Sequence, residues 1–125
     1  MKRTSISAGL FIPPLLKAGG VTVPVFPCAS KTDAKAPYIV YTRKSWEGRQ
    51  VKESAPADGV VICVWIYHPD YASSIELAEQ VRESIEGKQA RLTGLEMRSA
   101  TMIDSSDTWD ADSYVQYIEF LLKIN

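Results

Sequence analysis

Residues 60–67 read Val-Val-Ile-Cys-Val-Trp-Ile-Tyr and contain no polar position. A run of this length, bounded by Gly59 and by His68-Pro69-Asp70, predicts a strand that is apolar on both faces. At the end of the chain the pattern changes to strict alternation. Ile118, Phe120, Leu122 and Ile124 interleave with Tyr117, Glu119, Leu121 and Lys123, which predicts a strand with one strongly apolar face. Residues 95–103 alternate in the same way, and 38–42, Tyr-Ile-Val-Tyr-Thr, are rich in β-branched and aromatic side chains. A shorter strand is predicted over 21–26, where Pro24 confines it to an edge or an irregular pairing. Residues 104–112 are acidic and read as a turn region.

Between the strands the period becomes helical. Tyr71, Ile75, Ala78, Val81 and Ile85 recur at spacings of three and four and form one apolar stripe. Ser73 with Glu76 fits a capping box, Asp70 competes for the N-cap, and Gly87 is placed to stop the helix. Near the N-terminus, Leu10, Phe11, Ile12, Leu15 and Leu16 suggest a short helix interrupted or restarted at Pro13-Pro14 and ended by Gly19-Gly20. The expected order is a short N-terminal helix, three strands, one long helix and two strands. That order implies an α+β domain: a mostly antiparallel sheet of four to five strands, packed by one long amphipathic helix and a short N-terminal helical segment.

Such a sheet has more apolar surface than its helices can hide. In strand 60–67, Val60, Ile62, Val64 and Ile66 point one way, while Val61, Cys63, Trp65 and Tyr67 point the other. The second face must meet the N-terminal segment, another protein or water. Residues 44–58 form a long excursion of Gly, Ser, Pro and charges that carries Trp46, Arg49, Val51, Lys52 and Glu53. Long loops in compact domains are commonly functional, and Trp and Arg are common interface anchors.

Composition narrows the class. The 125 residues fit one domain, 1–125, and 46% hydrophobic with 23% charged residues describes a folded chain rather than a disordered one. A net charge of −1 offers no global field for a polyanion, so sequence-specific nucleic-acid binding is not expected. No apolar run approaches the roughly 20 residues that span a bilayer. Cys28 and Cys63 fall in different elements, and nothing in their placement calls for an oxidising compartment.

Chemistry is scarce. His68 is the one histidine and lacks metal-binding or catalytic companions at useful spacing. Nucleophile-elbow, phosphate-loop and dinucleotide motifs are absent. Asp104, Asp107, Asp110 and Asp112 could offer oxygen ligands to Ca²⁺, but their spacing does not match an EF-hand and Asp favours turns on its own account. The expectation is a protein that is not an enzyme and needs neither metal nor cofactor.

The ordered elements carry a resemblance. Pro37-Tyr38-Ile39-Val40-Tyr41 follows a Pro-containing short strand, then come a variable loop and a long β run ending near Trp65. Tyr71-Ala72 leads into the helix 75–87, and a hairpin finishes in an apolar strand. This chain resembles the tail-completion proteins (tail terminators, head–tail joining proteins) of long-tailed bacteriophages and prophages. The double proline departs from the continuous N-terminal helix such proteins suggest. The resemblance implies a homo-oligomeric ring, commonly a hexamer, that caps the tail tube and meets head connector proteins. It implies a place in the virion tail or neck after synthesis in the bacterial host cytoplasm. On this reading Trp46, Arg49, Lys52 and Glu53 contact a neighbouring subunit or the tube. The rivals are another neck or minor tail component, a small ligand-binding α+β domain using the uncovered sheet face, and a metal enzyme built on 104–112.

Overall fold

The structure, a computed structural model, describes residues 3–30, 33–44 and 58–125. A 3-10 helical segment, Ser5–Phe11, runs directly into α1 (Ile12–Ala18). Thr4 caps the first by accepting from the Ile6 N–H, and Pro13 and Pro14 fall in the first turn of the second, where missing donors cost nothing. The strands are β1 (Val25–Pro27), β2 (Tyr38–Lys44), β3 (Asp58–His68), β4 (Ala90–Leu92), β5 (Leu95–Asp110) and β6 (Ser113–Ile124). Between β3 and β4 lies α2 (Tyr71–Ile85). Of the two candidate N-caps for α2, Asp70 takes the position, its carboxylate accepting from the Ser73 N–H at 2.9 Å. Gly87 adopts φ +77° just past the end.

All six strands form one sheet in the order β1-β2-β3-β6-β5-β4. This corrects the expected sheet of four to five mostly antiparallel strands under one long helix. The sheet is mixed, because β1 runs parallel to β2 with Val25 opposite Ile39. It is curled into a half-barrel and carries two short helices, seven and fifteen residues long, rather than one long helix. Two irregularities in β5, between Met97 and Ser99 and between Met102 and Asp104, add local twist that helps the curl. The acidic stretch expected as a turn is strand as far as Asp110, held by β6, and only Ala111-Asp112 turns.

The helices share one face of the sheet. Phe11, Ile12 and Leu16 meet Ala78, Val81 and Ile85 above Ile39, Ile62, Val64, Ile66, Phe120 and Leu122. Phe120, Ile62, Val64, Ile66 and Leu122 are completely buried. Within the α2 stripe only Ala78, Val81 and Ile85 are buried, whereas Tyr71 and Ile75 remain exposed.

Candidate assembly interface

The face of the sheet away from the helices is built by alternate residues of the same strands. Cross-strand register places Val40, Trp65, Tyr117 and Ser106 in one row and Thr42, Cys63, Glu119 and Asp104 in the next. Tyr38 stacks on Tyr67 with ring centroids 4.7 Å apart, and Trp65 lies 5.2 Å from Tyr117 at a tilt. These half-buried rings lie on two neighbouring cross-strand rows, and aromatic side chains on a sheet face that no described helix covers are a candidate contact surface.

A small polar group sits among these rings. Lys44 Nζ lies 3.3 Å from Glu119 Oε2, and the same oxygen accepts a hydrogen bond from Tyr117 Oη. Tyr117 Oη also stands 3.2 Å from Cys63 Sγ. Burial, then the contacts with Cys63 and Glu119, holds the Tyr117 phenol far above its ordinary range. Burial likewise pushes the Cys63 thiol up. A buried thiol held in its protonated form is a poor nucleophile, and the contacts among Cys63, Tyr117 and Glu119 order the sheet face.

The second feature is an open edge. β4 pairs only with Leu95, Glu96 and Met97, so among the described residues β5 has no further strand partner on that side. Open strand edges invite pairing, and here the two irregularities and the carboxylates of Asp104, Asp107 and Asp110 guard the edge. Their faces alternate: Asp104 opposes Glu119 on the uncovered face, while Asp107 opposes Gln116 on the helical face. The acidic residues therefore do not converge, and among the described residues no three His, Cys, Asp or Glu side chains could jointly hold a metal ion. His68 accepts from the Asp70 N–H through Nδ1 at 3.0 Å and serves the turn into α2.

The third feature is the tip of the β5–β6 hairpin. Ala111 and Asp112 both have positive φ, +53° and +60°, as a two-residue hairpin turn requires. Trp109, 57% exposed, packs edge-on against Tyr114, with centroids 4.9 Å apart. Tyr114 in turn meets Tyr71 at 5.3 Å. Tyr71 Oη donates to Asp107 Oδ2 at 2.7 Å and so ties the start of α2 to the outer strand.

Trp46, Arg49, Lys52 and Glu53 lie outside the described residues. Among the described residues, the exposed or half-buried aromatic and polar groups of these surfaces include Trp65, Tyr71, Trp109, Tyr117 and Glu119. The period of two in β6 already places Tyr117 and Glu119 on one face. Only the register with β3 brings Cys63 and Trp65 beside them.

No family model matches the chain, and a search of curated proteins finds no match. Solved structures do match in fold. A chain from the virion of a native gene transfer agent particle aligns with TM-score 0.60, covering 95% of this chain and 90% of that one at 12% identity. A second solved chain, named without a function, aligns with TM-score 0.66 over 97% of this chain and 94% of its own, also at 12% identity. A gene transfer agent virion contains this fold. The likeness covers nearly the full length of both chains in each case, so it concerns the whole fold rather than a shared motif.

Among the described residues no helix is long and apolar enough to cross a membrane.

Proposed function

We propose that this chain is a structural component of a phage-like particle. It ends the tail tube and joins tail to head as one subunit of a homo-oligomeric ring. The observation that carries the reading is the near-complete fold likeness to a chain of a gene transfer agent virion. Three surfaces support it physically: an aromatic sheet face turned away from the helices, a guarded open edge, and a hairpin tip with an exposed tryptophan. Subunits of a ring need two different contact surfaces, because a head-to-tail contact closes only when one patch meets another.

On this reading the protein is not an enzyme and needs no cofactor. Its partners are copies of itself, the tail-tube protein and the head connector, and its place is the tail or neck of the particle. Trp46, Arg49, Lys52 and Glu53 are proposed contacts to a neighbour or to the tube. Light scattering coupled to size exclusion, across a range of concentrations, tests the ring directly. A discrete species of several subunits is expected. A strict monomer that also fails to bind tail tubes in electron micrographs would argue against the reading. Replacing Trp46 and Arg49 by Ala should weaken assembly and leave the monomer folded; unchanged assembly would remove the 44–58 segment from the interface.

A further inference from the structure

The large apolar side chains most exposed among the described residues fall into two patches. Ile6 (74% exposed) and Leu10 (51%) lie on the N-terminal 3-10 segment. Tyr71, Ile75, Ile103 and Trp109 line the first half of α2 and the outer half of β5. The two patches belong to different ends of the sheet. Arg3, at the start of the first patch, donates to the Thr93 carbonyl at 3.1 Å, in the turn just before β5. Trp109 sits beside the opposite end of that strand. Leu95 to Asp110 covers 16 residues, a separation of roughly 50 Å at strand spacing.

The charges around the patches have opposite sign. Arg3, Arg91 and Arg98 stand near the β4–β5 turn, where Glu96 is paired with Arg91, while Lys88 lies beside Glu83 at the end of α2. Around the hairpin tip stand Asp107, Asp110 and Asp112, with no Lys or Arg on β5 or β6 from 99 to 122, while Asp104 lies further down β5 opposite Glu119. A chain whose net charge is only −1 thus carries an acidic apolar end and a basic apolar end.

We infer that the acidic Trp109 end of one copy docks on the basic Ile6–Leu10 end of a second copy. The inference rests on the ring reading and names the contact that would close the ring. Its centre would be apolar, with Trp109 against Ile6 and Leu10, and its rim would pair carboxylates with guanidinium groups. This arrangement sets register and orientation more than raw affinity. One patch meets a different patch, so each subunit has one of each free for the next.

A charge-exchange experiment tests it. One variant reverses the tip (Asp110→Lys with Asp112→Lys) and another reverses the base (Arg3→Glu with Arg98→Glu). All four side chains lie on the surface or near it, and melting curves verify that both variants fold. Each variant alone should self-associate at least about tenfold more weakly than wild type, since like charges would face each other. Mixed one to one, they should regain assembly, because alternating copies pair unlike charges, and a ring with an even number of subunits returns to wild-type mass. Leu10→Ser, which alters no charge, should weaken assembly on its own. Wild-type oligomers that tolerate both reversals, or a mixture that stays dissociated, would overturn the docking and leave the ring standing. A wild-type chain that forms no oligomer, with variants that do not pair, would overturn both.

Discussion

A β-carbon on Gly19 would lie 1.8 Å from Ser84 Oγ and 2.6 Å from Ser84 Cβ. The end of α1 therefore rests directly on α2. Ser84 cannot move aside easily, because its hydroxyl donates to the Gln80 carbonyl at 2.7 Å and the side chain is buried. Gln80 adds a bond from Nε2 to the Gly19 carbonyl at 3.2 Å.

Gly19→Ala should accordingly push the two helices apart. The expected cost is about 1–3 kcal/mol, as for other additions to a close-packed contact. Urea unfolding read by circular dichroism would measure it. Gly19→Ala combined with Ser84→Gly should recover much of the loss, because the obstructing atoms are then gone.

Asp70 gives α2 a pH-dependent start. Its hydrogen bonds from Ser73 hold the carboxyl below the ordinary carboxylate value. A depressed folded value stabilises above the unfolded one and ceases to do so as pH falls through the folded value. Asn caps helices as Asp does but does not titrate. Wild type should therefore lose melting temperature on acidification by more than Asp70→Asn does. Parallel curves for the two proteins would exclude a role for this cap.

The two cysteines should react very differently. Cys28 is exposed, whereas Cys63 is buried beneath the aromatic row with its thiol pushed up. A thiol reagent should label Cys28 quickly in the folded protein and Cys63 only after denaturant is added. Tyr117→Phe, which removes the phenol beside Cys63 Sγ, should leave this order intact.

Ala111 sits at φ +53° without being glycine. Left-handed backbone costs an alanine roughly 1 kcal/mol. Ala111→Gly should relieve part of that and raise the melting temperature slightly, despite the added freedom of the unfolded chain. Ala111→Val, β-branched at the same position, should lower it by more than the glycine gains.

Tyr117 offers a second pH test, at the alkaline end. Its phenol is raised by burial and by its neighbours, so stability is complete below the ordinary tyrosine value and falls as pH climbs through the folded one. Ultraviolet titration should show several late-ionising tyrosines, with Tyr41, Tyr67 and Tyr71 also raised, and Tyr117→Phe should reduce the late amplitude by one residue.

Several of these features were open to reading in the sequence and others were not. The apolar run of β3, the alternation of β6 and the stripe ending in Val81 and Ile85 are local patterns that packing then uses. β4 was invisible because Ala90-Arg91-Leu92 has no pattern of its own and is strand only by pairing with Leu95–Met97. The outer half of β5 misled for the opposite reason. Asp104 to Asp110 has the composition of a turn, yet β6 supplies a partner for each rung and overrides that preference. The parallel β1–β2 pair depends on how a connection crosses the sheet, which no periodicity records. On the sheet face away from the helices, Cys63 and Tyr117 are 54 positions apart and meet only through register. The two exposed apolar patches likewise need the fold before they can be told from core.

The strand order carries a consequence for how the chain is made. β6 lies between β3 and β5, and in the described sheet it alone joins β1-β2-β3 to β5-β4. It is also the last of the six to leave the ribosome. Until it does, the edges of β3 and β5 that β6 joins in the native sheet lack that partner. Commitment to the native state thus waits for the final strand, and truncated chains that stop within β6 should be caught by chaperones or proteases rather than enter an assembly.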